Sequence, residues 1–113
     1  MTTDEAVKIF SEIETYPPLM RASARAAHVG KEVDWRATFF SGDMGDGQRV
    51  FVALRHEASD KVLFAHVRLA DHPWLQSTPR GETLRVQGRL ADIGPLSIDL
   101  EAVTLAQAVA VVR

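Results

Sequence analysis

Cysteine is absent from the 113 residues, so the chain has no disulfide framework and no thiolate metal cluster, as expected of a cytoplasmic protein. An excess of one charge is also absent. Thirteen Lys and Arg against fifteen Asp and Glu give a formal net charge of -2, which excludes strong nonspecific attraction to polyanions or anionic lipid. The longest apolar run, Leu105 to Val112, is broken by Gln107. It is too short to span a bilayer, and no membrane partner is expected. The opening MTTDEAVKIFSEIE is acidic and amphipathic, without the charged-then-apolar pattern of a secretory leader. Catalytic motifs are missing too. There is no G-x-S-x-G and no phosphate-binding loop, and Ser41 and Ser77 have no base and orienting partner in view, so no enzymatic activity is expected. The histidines His28, His56, His66 and His72 form no HExxH and have no Cys to join them, and neither a metal nor a cofactor is expected. Asp43 and Asp46 lie in SGDMGDG, without the alternating ligands and terminal Glu of a calcium loop.

What is present is a core-forming pattern, at 46% hydrophobic residues, on a length that fits a single compact domain. Residues 3 to 15 read as a helix with Thr3 as cap and Ala6, Ile9, Phe10 and Ile13 on one face, stopped by Tyr16-Pro17-Pro18. A second helix is predicted from Pro18 to His28, with Leu19, Ala22, Ala26 and Val29 on one line and Gly30 in the left-handed position after it. Residues 1–29 therefore form a helical hairpin. Its apolar residues Ile9, Phe10, Ile13, Leu19 and Ala22 are expected to be buried on the rest of the chain or on a second copy in a homo-oligomer.

From Lys31 the hydrophobic period changes from 3.6 to 2. Val33, Trp35, Ala37 and Phe39 alternate in a first strand, and Ser41 to Gly47 reads as a loop. A second strand spans Arg49 to Glu57, and the third carries Leu63, Ala65, Val67 and Leu69 in phase. Pairing Glu57 with Val62 puts Leu54 opposite Ala65, Val52 opposite Val67 and Val50 opposite Leu69, so the apolar faces coincide. Asp71 to Gln76 reads as a short helical turn capped by Asp71, with Trp74 plugging a barrel end. A fourth strand spans Glu82 to Ala91, bent at Gly88, and a fifth follows Asp92-Ile93-Gly94-Pro95 with Leu96, Ile98 and Leu100 inward. The apolar tail from Ala102 to Arg113 either extends this strand or forms a helix.

Three strands, a short helix and two more strands is the element order of a five-stranded Greek-key barrel, the OB-fold. The predicted fold class is thus an all-β core, α+β overall, with the barrel over 30–113 and the helical hairpin packed on it. Gly30-Lys31-x-Val33-x-Trp35, Asp71 and Leu75, and Gly81-x-x-Leu84-x-Val86-x-Gly88-x-Leu90 followed by Ile98-x-Leu100 resemble the OB domains called tRNA-anti-like. That resemblance covers about residues 30 to 105 and implies nucleic acid by analogy with anticodon-binding barrels.

The candidate site is the outer face of strands two and three, where Phe51, Phe64 and His66 lie among Arg49, Arg55 and Arg68. Single-stranded nucleic acid needs flat π-surfaces for bases and cations for phosphates. Residues 31–89 carry nine Lys and Arg against eight Asp and Glu, so such binding is expected to be weak. Two partner readings stand side by side: single-stranded nucleic acid on this face, or a protein partner in an interaction or assembly module. Arg85 and Arg89 are expected to pair across strands with the acidic residues at 32, 34, 99 and 101.

Overall fold

The computed structural model describes residues 1–108, and the end of the tail lies outside them. Five strands, β1 (Glu32–Met44), β2 (Arg49–His56), β3 (Val62–Arg68), β4 (Thr83–Ile93) and β5 (Ser97–Gln107), close into a barrel in the order β1-β2-β3-β5-β4. All pairs are antiparallel except β3 with β5. This is the OB-fold barrel, and the period-2 pattern accounts for it. Val33, Trp35, Val52, Leu54, Ala65, Val67, Val86 and Ile98 are all buried in one core, so each strand gives alternate residues to the interior.

Several local features differ from the sequence expectation. β1 runs on to Met44, because Ser41 and Asp43 pair with Ala53 and Phe51 on β2, and backbone pairing overrides the loop-like composition of SGDMGDG. β5 extends to Gln107 with Leu105 inward, so the tail continues the strand over residues 102–107. Leu96 is 80% exposed. It belongs to the turn before β5, where Gly94 N–H donates to Ser97 O at 2.8 Å, and strand alternation begins only at Ser97.

β3 and β5 pair only over Val62–Phe64 and Ser97–Asp99. Beyond that they diverge, and the opening is spanned by two 3-10 turns, Leu69–Asp71 and Pro73–Ser77. Buried His72 staples the gap: its Nδ1 lies 2.9 Å from Arg68 O and its Nε2 accepts from Leu105 N–H at 3.0 Å. An accepting Nε2 places the neutral ring's proton on Nδ1, which donates to Arg68. Asp71 makes no capping hydrogen bond, and His72 holds the cap position of the second turn. The buried residue there is Leu75 rather than Trp74, which is half-buried with its ring edge-on to His72.

The first helix, α1 (Thr3–Thr15), is capped one residue earlier than expected. Thr2 Oγ1 accepts from Glu5 N–H at 3.2 Å and Glu5 Oε1 accepts from Thr2 N–H at 3.0 Å, a capping box. Thr3 instead accepts from Arg36 N–H, which ties the helix start to β1. Ala6, Phe10 and Ile13 are buried. A 3-10 turn at Pro18–Met20 leads into α2 (Arg21–Ala26), shorter than predicted and with no buried residue. Leu19 is 97% exposed and Ala22 is exposed as well, so neither is buried on the rest of the chain, the first of the two expected sites of burial. The half-buried line is Arg21, Ala24, Arg25 and His28, an i, i+3, i+4, i+7 stripe that turns the apolar line outward.

Gly88 sits at a register shift between β4 and β5. A Cβ there would lie 2.9 Å from Glu101 O and 3.0 Å from Val103 Cγ2. Because backbone oxygen cannot swing aside as a side chain can, Gly88→Ala is expected to cost about 1–3 kcal/mol, read as a lower urea midpoint with an unchanged m-value.

Candidate functional site

The outer face of β1, β2 and β3 is laid out in rows by strand register. Arg49 faces Arg68. Asp43, Phe51 and His66 form the next row. Ser41, Ala53, Phe64 and Asp99 form the third, and Thr38, Arg55, Val62 and Ser97 the fourth. All six candidate residues, Arg49, Phe51, Arg55, Phe64, His66 and Arg68, thus lie on one outward face. Their pairing differs from the expected one by two residues. The connection after β2 is a tight turn in which His56 N–H donates to Lys61 O at 2.8 Å and Asp60 N–H to His56 O at 3.0 Å, with Asp60 at φ 58°. Arg55 therefore pairs with Val62, Leu54 with Leu63, Val52 with Ala65 and Val50 with Val67. A two-residue slip keeps every side chain on its face but changes its partner.

The new partners bring the aromatic rings together. Phe51 and Phe64 stack with centroids 5.5 Å apart and planes 16° from parallel, and His66 lies 5.0 Å from Phe51 at a tilt of 52°. Phe51 has two ring neighbours and Phe64 one, so Phe64 ends the row. Ala53, opposite Phe64, is buried although it points outward. The helices pack elsewhere, α1 against β1 and α2 against β4, at the end of the barrel where Phe10 meets Trp35 and His56.

Charge pairing divides the arginines. Arg85 grips Asp34 with two bonds of 2.9 and 2.6 Å, which hold the Asp34 carboxyl below its usual range and raise the guanidinium. Arg89 lies 3.5 Å from Glu101, and Arg36 lies 3.5 Å from Glu57. Arg49, Arg55 and Arg68 have no ion pair among the described residues. Asp43, from the SGDMGDG segment, and Asp99, which sequence reasoning did not place here, flank the ring row through β1 and β5.

Two further residues were missed. A β-bulge between Phe39 and Ser41 leaves Phe39 buried and Phe40 45% exposed. The Arg80 guanidinium lies 4.6 Å from the Phe40 ring centroid, and its Nε donates to Phe40 O at 3.0 Å. The doublet Phe39-Phe40 was the available signal, since an alternating strand buries only one of two adjacent residues. Among the described residues no three His, Asp or Glu side chains converge as metal ligands would, and no helix is long and apolar enough to cross a membrane.

The chain matches no protein-family model and no curated protein sequence. Solved structures do resemble it. One is a chain from Klebsiella pneumoniae named a "putative nucleic acid-binding lipoprotein", similar over 90% of this chain and 88% of that one at 15% identity and a TM-score of 0.62. Another is asparaginyl-tRNA synthetase from Pyrococcus horikoshii, similar over 74% of this chain at 18% identity and a TM-score of 0.50. This chain spans 21% of the synthetase. At such identities the likeness is one of fold.

Proposed function

We propose that this protein is a non-catalytic module that binds single-stranded nucleic acid weakly on the outer face of β2 and β3. The observation that carries the reading is the contrast in charge pairing. Arg36, Arg85 and Arg89 are neutralised by carboxylates, while Arg49, Arg55 and Arg68, around the stacked rings, have no ion pair among the described residues. Arg49 and Arg68 also face each other directly, and like charges so placed are destabilising. A phosphate between them relieves that repulsion. Phe64, at the end of the ring row, offers a face for a base. The names of the two structural neighbours and the resemblance to tRNA-anti-like domains support the same reading.

Asp43 and Asp99 beside the rings keep the local field low, so affinity should be modest, with a shallow salt slope set by the few phosphates that the arginines contact. The reading is tested by titrating labelled single-stranded DNA and RNA at two salt concentrations. Phe64→Ala is expected to weaken binding by about 1–3 kcal/mol with little change in salt slope, since it removes stacking. Arg55→Ala and Arg68→Ala should each flatten the dependence of log K on log salt by about 0.7, one phosphate contact on a single strand. Absence of binding at low salt with the fold intact would leave the second reading, a protein-interaction module. That reading is favoured by the solvent-facing Tyr16, Leu19, Met20 and Val29 of the helical hairpin.

A further inference from the structure

Beside the aromatic row lies a groove of about 430 Å³ between the β1 bulge, the end of β2 and the turn before β4, lined by Thr38, Phe40, Arg55, Glu57, Asp60 and Arg80 among others. Its floor is already built as a stacking surface. Arg80 Nε is fixed by Phe40 O, so the guanidinium carbon is held over the Phe40 ring, 4.6 Å from its centroid, and a guanidinium is itself a platform on which bases stack. Arg55 supplies a second cation with no ion pair among the described residues. Of the two carboxylates, Glu57 is engaged by Arg36 at 3.5 Å, which leaves Asp60 at the lip. The volume is that of a site for one small ligand. The groove belongs to the same outer face as Phe51 and Phe64. With strands spaced about 5 Å apart, Phe40 stands roughly one or two strand widths from the ring row.

We infer that this groove is a second nucleotide subsite, in which a base stacks on the Arg80–Phe40 pair and its phosphate meets Arg55. A single strand then crosses the barrel from the Phe51–Phe64 stack on β2 and β3 over the β1 bulge. This inference rests on the reading of the β2–β3 face as a single-strand surface and adds a path and a minimum ligand length to it. The occupant is a nucleotide rather than a carboxylate ligand because a flat cationic surface backed by an aromatic ring rewards a planar partner.

The test uses the full chain and labelled dT oligonucleotides of about four and about fifteen nucleotides, the two ends of the site size for one such barrel. Arg80→Ala is expected to weaken the longer oligonucleotide about tenfold and leave the shorter one, which the Phe51–Phe64 stack holds alone, unchanged. Arg80→Lys should behave like Arg80→Ala, because an ammonium keeps the charge but has no plane. Phe64→Ala should weaken both oligonucleotides. Arg80 lies in an exposed turn, and matching thermal melts establish that the variants are folded. If Arg80→Ala binds the longer strand like wild type while Phe64→Ala does not, the subsite is overturned and the β2–β3 reading stands. If Arg80→Lys retains wild-type binding, the arginine acts only as a charge and the stacking subsite is likewise overturned. If wild type binds neither oligonucleotide, both readings fall.

Discussion

Replacing Trp35 with alanine is expected to cost about 3–5 kcal/mol, a large part of the stability of a domain this size. The indole is completely buried at the closed end of the barrel. It is edge-on to His56 at 4.9 Å and to Phe10 of α1 at 6.2 Å. Its removal opens a cavity between β1 and the helix. Trp35 Nε1 has no hydrogen-bond partner among the described residues, so the side chain is retained for its volume and not for its polar atom. Trp35→Phe, which discards that buried N–H and keeps most of the ring, should therefore cost clearly less than Trp35→Ala. Urea denaturation followed by circular dichroism measures both variants. Equal losses for the two would show that the volume argument is wrong.

The same residue illustrates what is readable from sequence alone. Val33, Trp35, Ala37 and Phe39 alternate with polar residues, and only one face of such a strand can be inside, so their burial is legible in the sequence. Register was less legible. Pairing Glu57 with Val62 and pairing Arg55 with Val62 both bring Val52 and Leu54 to the same face, and hydrophobic pattern cannot separate them. The choice is made by the backbone of the turn, where Asp60 takes a positive φ. The helix cap failed for a different reason. Thr2 and Thr3 are chemically equivalent, and the deciding signal was Glu5 three residues after Thr2, the spacing of a capping box.

The candidate site was legible as a set of residues and not as an arrangement. Alternation put Arg49, Phe51, Arg55, Phe64, His66 and Arg68 on one face. Which of them touch depended on the two-residue register choice: pairing Glu57 with Val62 would set Arg55 opposite Phe64 and Phe51 opposite Arg68, and the observed register makes an aromatic row instead. Asp43, Asp99 and Phe40 enter the site through a β-bulge and through the parallel β3–β5 pairing. The parallel pairing is a long-range feature with no local signature, and the Phe39-Phe40 doublet was the one local sign at the bulge. The acidic flanks lower the positive field around the rings and so weaken any phosphate contact there, while the salt slope follows the number of phosphates that the arginines meet.

Acidification from pH 6.5 to pH 4 is expected to remove about 3 kcal/mol of stability through His56 alone. The ring is buried between Trp35 and Phe10. Its Nδ1 accepts from Ser59 N–H at 3.2 Å and lies 2.8 Å from Ser59 Oγ, while Nε2 has no partner among the described residues. Burial first, and the nearby Lys61 ammonium second, hold its pKa down at about 4, whereas an unfolded chain restores the ordinary value of about 6.5. Above about pH 6.5 the imidazole is neutral in both states and contributes no pH dependence. Between 6.5 and 4 the unfolded chain takes up a proton that the folded chain refuses, so stability falls as pH falls, at about 1.4 kcal/mol per unit, and levels off below 4. His28, also lowered by burial and by Lys31, adds to the slope with the same sign. Asp34 and Glu5, both held below the usual carboxylate range, lose their contributions only at lower pH. His56→Gln isolates the buried ring: it keeps an acceptor for Ser59 and cannot titrate. Urea midpoints measured from pH 7 to pH 4 should decline less steeply for the variant by about one proton. An unchanged slope would mean that His56 titrates normally in the folded barrel.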